Sequence, residues 1–97
     1  MHPRYYITAW VKAAEGYEKI NRFYMGRDKA FAREIFGRLR GTRLTGENDL
    51  LQLDLVEVSN AVPVSVEIMS CTLEQFGWNA KLLARELLKK HNRGASS

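Results

Sequence analysis

Cys71, His2 and His91 are the first residues at which nucleophile, general-base or soft-ligand chemistry would be sought in this chain. Cys71 immediately precedes Thr72-Leu-Glu-Gln75, which reads as a T-x-x-Q capping box, so its sulfur falls at a helix N-terminus. That is a place where a thiolate is stabilised. No His, Asp or Glu is set beside it by the spacing, however, and a lone Cys at the end of an apolar strand serves as a small core filler. The two histidines sit near the two ends of the chain, and neither has a second ligand at a metal-binding interval. The phosphate-loop, dinucleotide and nucleophile-elbow patterns G-x-x-x-x-G-K, G-x-G-x-x-G and G-x-S-x-G do not occur. The expectation is a protein that is not an enzyme, with no cofactor and no metal.

Binding chemistry is better represented. Arg27, Lys29, Arg33, Arg38, Arg40 and Arg43 crowd into one stretch and could meet an acidic protein or a nucleic-acid backbone. The plainer reading is a solvated helix face. A second group, Tyr6, Trp10, Ile20, Arg22 and Tyr24, joins aromatic, aliphatic and guanidinium side chains of the kinds enriched at interface hot spots. Charge is also unevenly spread. Residues 1–43 carry ten Lys/Arg against four Asp/Glu, residues 44–80 carry six acids and no base, and residues 81–97 are basic again.

These side chains need elements to hold them. "RYYITAWVKA" and "YEKINRFYMG" alternate in the period of a strand around "AEG" and predict a hairpin over residues 4–25. A three-residue Ala14-Glu15-Gly16 loop would set Lys12 against Glu18 and so avoid opposing Lys12 to Lys19. It places Ile7, Val11, Phe23 and Met25 on one face, and Tyr6, Trp10, Ile20, Arg22 and Tyr24 on the other. Asp28 caps a helix with Phe31, Ala32, Ile35, Phe36 and Leu39 on one stripe, ended by Gly41. "LLQLDLVEVSNAVPVSVEIMS" predicts a second hairpin turning at Ser59-Asn60, with Leu55, Leu53 and Leu51 facing Val64, Val66 and Ile68. Gln52, Asp54, Ser65 and Glu67 then point away, and Val56 and Met69 join them on the outer face. Pro63, lacking an amide hydrogen, marks an edge strand. A second helix follows Thr72, with Leu73, Phe76, Ala80, Leu83, Ala84 and Leu87 as its apolar stripe.

The order is ββαββα, and the look-alike decamers "KAFAREIFGR" and "KLLARELLKK" sit at equivalent places in the two halves. The fold class is therefore α+β: a two-layer pseudo-repeat in which two helices cover one face of a four-stranded sheet, leaving the strand order open. At 97 residues with 45% hydrophobic and 27% charged, residues 1–93 read as one domain and 94–97 as a flexible tail. No apolar run is long enough to span a membrane, and the N-terminus has no secretory leader pattern. One cysteine allows no internal disulfide, which fits a cytoplasmic location. The expected function is an interaction or accessory module. It would dimerise through the aromatic sheet face, the basic first hairpin of one copy lying over the acidic second hairpin of the other. The alternative is nucleic-acid binding through the basic first helix and the aromatic face, with Asp54, Glu57 and Glu67 as the counter-evidence.

Overall fold

The computed structural model describes residues 2–43 and 49–96, with side chains described as far as Lys90. Most of the polar connector at 42–49, His91, and the side chains of the expected tail lie outside the described residues. The elements run β1 (Arg4–Ala13), β2 (Gly16–Gly26), α1 (Lys29–Arg38), β3 (Leu51–Ser59), β4 (Val62–Cys71) and α2 (Leu73–Ser96), in the expected ββαββα order. The strands form one antiparallel sheet ordered β2-β1-β3-β4. The helices pack on one of its faces.

The open question of strand order resolves through β1. Ile7 pairs with Leu55, Ala9 with Leu53 and Val11 with Leu51, so β1 and β3 make the centre. These are the strands whose apolar residues alternate most strictly, and burial is greatest at the centre of a sheet. The chain leaving β2 crosses over β1 through α1 to reach β3. Ile7, Ala9, Leu53, Leu55 and Met69 pack against Ala32, Ile35 and Phe36 of α1 and Leu82 and Leu83 of α2. Truncating a side chain as large and as buried as Phe36 costs about 3–5 kcal/mol.

Both helix starts follow the expected capping chemistry. Asp28 Oδ1 accepts from the Phe31 amide at 3.2 Å. Thr72 Oγ1 accepts from the Gln75 amide at 3.1 Å, and Gln75 Oε1 accepts from the Thr72 amide at 2.9 Å. The end of α1 differs from expectation. The helix stops at Arg38 with Leu39 as its cap, and Gly41 does another job. A Cβ at Gly41 would lie 2.5 Å from the Ser70 carbonyl oxygen and 2.9 Å from Met69 Sδ. The missing side chain lets Thr42 exchange two backbone hydrogen bonds with Ser70, at 2.8 and 2.9 Å, and so cover one end of the β4 edge. The apolar stripe of α2 is also rotated from the expected one. Asn79, Leu82 and Leu83 are buried, while Leu73 and Ala84 are exposed.

Each hairpin turns differently from its expected form, with different consequences. In the first, Ala13 pairs with Gly16 about a two-residue Ala14-Glu15 turn, so Lys12 faces Tyr17 and Val11 faces Glu18. A bulge between Ala9 and Trp10 inserts Ile20 and restores the expected register beyond it, with Ile7 opposite Phe23 and Tyr6 opposite Tyr24. In the second hairpin the turn is Asn60-Ala61, both left-handed at φ 54° and 63°, and not Ser59-Asn60. A further bulge at Val66 reverses the alternation along the rest of β4. Leu51, Leu53 and Leu55 therefore face Cys71, Met69 and Glu67 in place of Ile68, Val66 and Val64. Met69 and Glu67 move to the helix side, Ile68 moves to the open side, and Pro63 does lie in an edge strand.

Candidate functional site

The sheet face away from the helices is built from alternate residues of every strand. Its rows can be read across β2, β1, β3 and β4 from the pairings. One row is Tyr24, Tyr6, Val56 and Ser65. The next is Arg22, Thr8, Asp54 and Ile68, and the third is Lys19, Trp10, Gln52 and Ser70. The bulge puts Ile20 on this side as well as Lys19. The five residues singled out from the sequence, Tyr6, Trp10, Ile20, Arg22 and Tyr24, thus share one uncovered surface.

Within it, the Tyr6 and Tyr24 rings lie 5.2 Å apart at 45°, and the Arg22 guanidinium sits 4.4 Å from the centre of the Tyr6 ring. This is a cation–π arrangement that orders Arg22 over a half-buried ring. Ile20 and Tyr24 are about half exposed, at 49% and 48%. Near Trp10 the face is bordered by polar contacts: Tyr17 Oη donates to the Asp49 carbonyl at 2.8 Å and accepts from Gln52 Nε2 at 3.2 Å. Asp54 is the acid in the middle of the face. Burial raises its carboxyl above the usual carboxylate range, against the opposite pull of Ser65 Oγ, which donates to it at 2.5 Å.

The basic cluster is not a single patch. Lys29 Nζ lies 3.6 Å from Glu57 Oε1, while Arg33 and Arg43 share Glu67 at 3.7 and 3.9 Å. Arg38 reaches Glu86 of α2 at 3.5 Å. Burial would raise the Glu86 carboxyl, but Lys89 and Arg38 together carry it below its ordinary value. Arg40 lies past the end of α1, with its guanidinium 4.0 Å from the centre of the Trp78 ring. Asn79, fully buried, holds the Arg40 backbone at both groups: Oδ1 accepts from its amide at 2.7 Å, and Nδ2 donates to its carbonyl at 2.8 Å. Arg27 is exposed at the start of α1. The cluster therefore divides between the sheet and α2, and stands on the opposite side of the sheet from the aromatic residues.

Cys71 is buried opposite Leu51, and burial pushes its thiol above the ordinary value. The helix N-terminus does not prevail over desolvation there. His2 is exposed at the start of the chain. Four placements of consequence escaped the sequence reading: those of Lys19, Ile68, Asn79 and Glu67. Lys19 takes its face from the unexpected two-residue Ala14-Glu15 turn, and the exchange of Ile68 with Glu67 depends on a bulge, which carries no signal in the pattern. Asn79 did carry one, a polar residue three positions after Phe76 and four before Leu83, where a buried amide must find partners.

Among the strand residues, charge follows the faces of the sheet. Arg4, Lys12, Lys19 and Arg22, all the Lys and Arg of the strands, alternate onto the open face, while Glu18, Glu57 and Glu67 fall on the helix side. Only Asp54 departs from that segregation. The architecture defines a two-layer α+β module with an open, basic, aromatic sheet face. No protein-family model, curated protein or solved structure matches this chain. No helix among the described residues is long and apolar enough to cross a membrane.

Proposed function

We propose that the protein is a small binding module, not a catalyst, and that its contact surface is the open sheet face. The observation that carries the proposal is the set of large apolar groups spread across that face: Tyr6, Tyr24, Trp10, Ile20, Val56 and Ile68, with Ile68 still 37% exposed. Contiguous apolar area of this kind marks association sites. Cys71, whose thiol is buried and pushed above its ordinary value by that burial, lends no support to nucleophilic chemistry.

A second copy of the chain is one occupant of such a face. In the form expected from the sequence, however, the dimer drew its charge match from an acidic second hairpin. Two of the acids of that hairpin, Glu57 and Glu67, lie on the helix side and already pair with Lys29, Arg33 and Arg43. The test is sedimentation velocity at tens of micromolar, alone and with single-stranded oligonucleotide, on the wild type and on Tyr24→Ser. An association of either kind that Tyr24→Ser weakens supports the proposal. A monomer that takes no oligonucleotide, or an association indifferent to the substitution, defeats it.

A further inference from the structure

We infer that the occupant of the open face is single-stranded nucleic acid, an inference that rests on that face being the binding surface. The segregation of charge across the sheet is the first ground. Within the strands this face carries Arg4, Lys19 and Arg22, besides Lys12, which already has a partner, against Asp54; at its border the Asp49 carboxylate accepts from Ser70 Oγ. Two copies meeting face to face would set Arg4, Lys19 and Arg22 of each against the same cations of the other, and like-charge juxtaposition in an interface is strongly unfavourable. An anionic chain reverses the sign of every one of those contacts. The acids that spoke against phosphate when read along the chain, Glu57 and Glu67, are behind the sheet.

The arrangement of rings is the second ground. Single strands bind where aromatic faces stack successive bases beside cations that follow the backbone. Tyr6 and Trp10 are four residues apart on β1, a span of about 13 Å at 3.3 Å per residue, with Thr8 between them. The Tyr6–Tyr24 pair and Trp10 thus form two stacking platforms along one strand direction. Arg22 lies over the Tyr6 ring of the first, 4.4 Å from its centre, and Lys19 stands directly opposite the second. A duplex keeps its bases stacked inside and offers this surface only its phosphates.

The experiment is a fluorescence-anisotropy titration with labelled oligo(U), oligo(dT) and a hairpin duplex, repeated with heparin as competitor. Both single strands should bind more tightly than the duplex. Between about 50 and about 200 mM salt, three or four phosphate contacts give a slope of log K against log salt of about −2 to −3. Tyr24→Ala and Trp10→Ala should each weaken binding about tenfold through lost stacking while leaving the slope unchanged. Lys19→Ala should reduce the slope by about 0.7. Tyr24 is exposed enough that its variant will fold even if the Trp10 variant does not, and Lys89→Ala on α2 should change nothing. The inference is overturned if neither single strand binds at low salt. It is equally overturned if duplex and single strands bind alike with no loss on Tyr24→Ala. A dimer that Tyr24→Ser splits, in a protein that takes no oligonucleotide, would overturn this inference and leave the binding-module proposal standing; a monomer that takes none would remove both.

Discussion

The two faces of the sheet treat the same kinds of residue in opposite ways. On the helix side, acids reach across to the basic segment of α1 and the chain just after it: Glu57 to Lys29, and Glu67 to Arg33 and Arg43. On the open side, the strand cations face outward, and Arg22 lies on an aromatic ring. Read along the chain, the charges divide by hairpin, the first basic and the second acidic. In the fold they divide by face, because alternation and two bulges sort them through the sheet. The difference teaches that the charge complement sought in a partner copy is largely met inside one molecule. What remains outside has one predominant sign.

The sharpest way to break the helix-side half of that comparison is Asn79→Ala. It deletes the two hydrogen bonds that hold the Arg40 backbone and leaves a cavity, and should cost about 2–3 kcal/mol in urea unfolding. Gly41→Ala comes next. Its methyl would meet the Ser70 carbonyl, so the strand-edge tie through Thr42 must move, at about 1–3 kcal/mol. If Gly41→Ala unfolds at the wild-type midpoint, the edge is not held as described. Ala61→Gly acts in the other direction. Ala61 sits at φ 63°, where a Cβ is unfavourable by about 1–2 kcal/mol, so glycine should stabilise by about 1 kcal/mol after its greater freedom in the unfolded chain is subtracted. A loss instead would mean that the turn, and with it the register that sends Glu67 to the helix side, is wrong. Smaller still is Glu67→Gln. It separates two exposed arginines from their shared carboxylate, each pair being worth less than about 1 kcal/mol, and it should leave any open-face binding unaltered.

How much of this was legible in the sequence follows from what kind of signal each feature leaves. The strict alternation of Leu51, Leu53 and Leu55, and of Ile7 and Ala9, exposed both central strands, and the Asp28 and Thr72 caps located both helices. The five aromatic-face residues were legible too, because the bulge at Ile20 cancelled the offset of the unexpected Ala14-Glu15 turn. The second hairpin had no such compensation. Asn60-Ala61 lacks the glycine that usually announces a turn with two positive φ values, and the bulge at Val66 then reversed the alternation. Ile68 and Glu67 exchanged faces as a result. The basic cluster was misleading for a different reason: spacing along a helix says which side chains share a face, and nothing about which acids stand across from it.

Asp54 gives the comparison its finest test, being the acid of the strands that stays on the open face. Its folded carboxyl titrates above the unfolded one, whose ordinary value is about 3.9, because burial disfavours its charge more than Ser65 stabilises it. Between those two values the folded state binds more protons than the unfolded state, so stability falls as pH rises through that window and the deficit is complete above it. Asp54→Asn keeps an oxygen for the Ser65 hydroxyl and removes the charge. The variant should therefore be more stable than the wild type at neutral pH, with the advantage shrinking as pH falls through the folded value and gone below the unfolded one. Urea midpoints of the two proteins across a pH series measure it. An advantage that does not change with pH would trace to the Ser65 hydrogen bond and not to the charge. If the advantage does fade, the same substitution should tighten oligonucleotide binding at neutral pH, since it removes the one strand anion from a face whose other charged strand residues are cations.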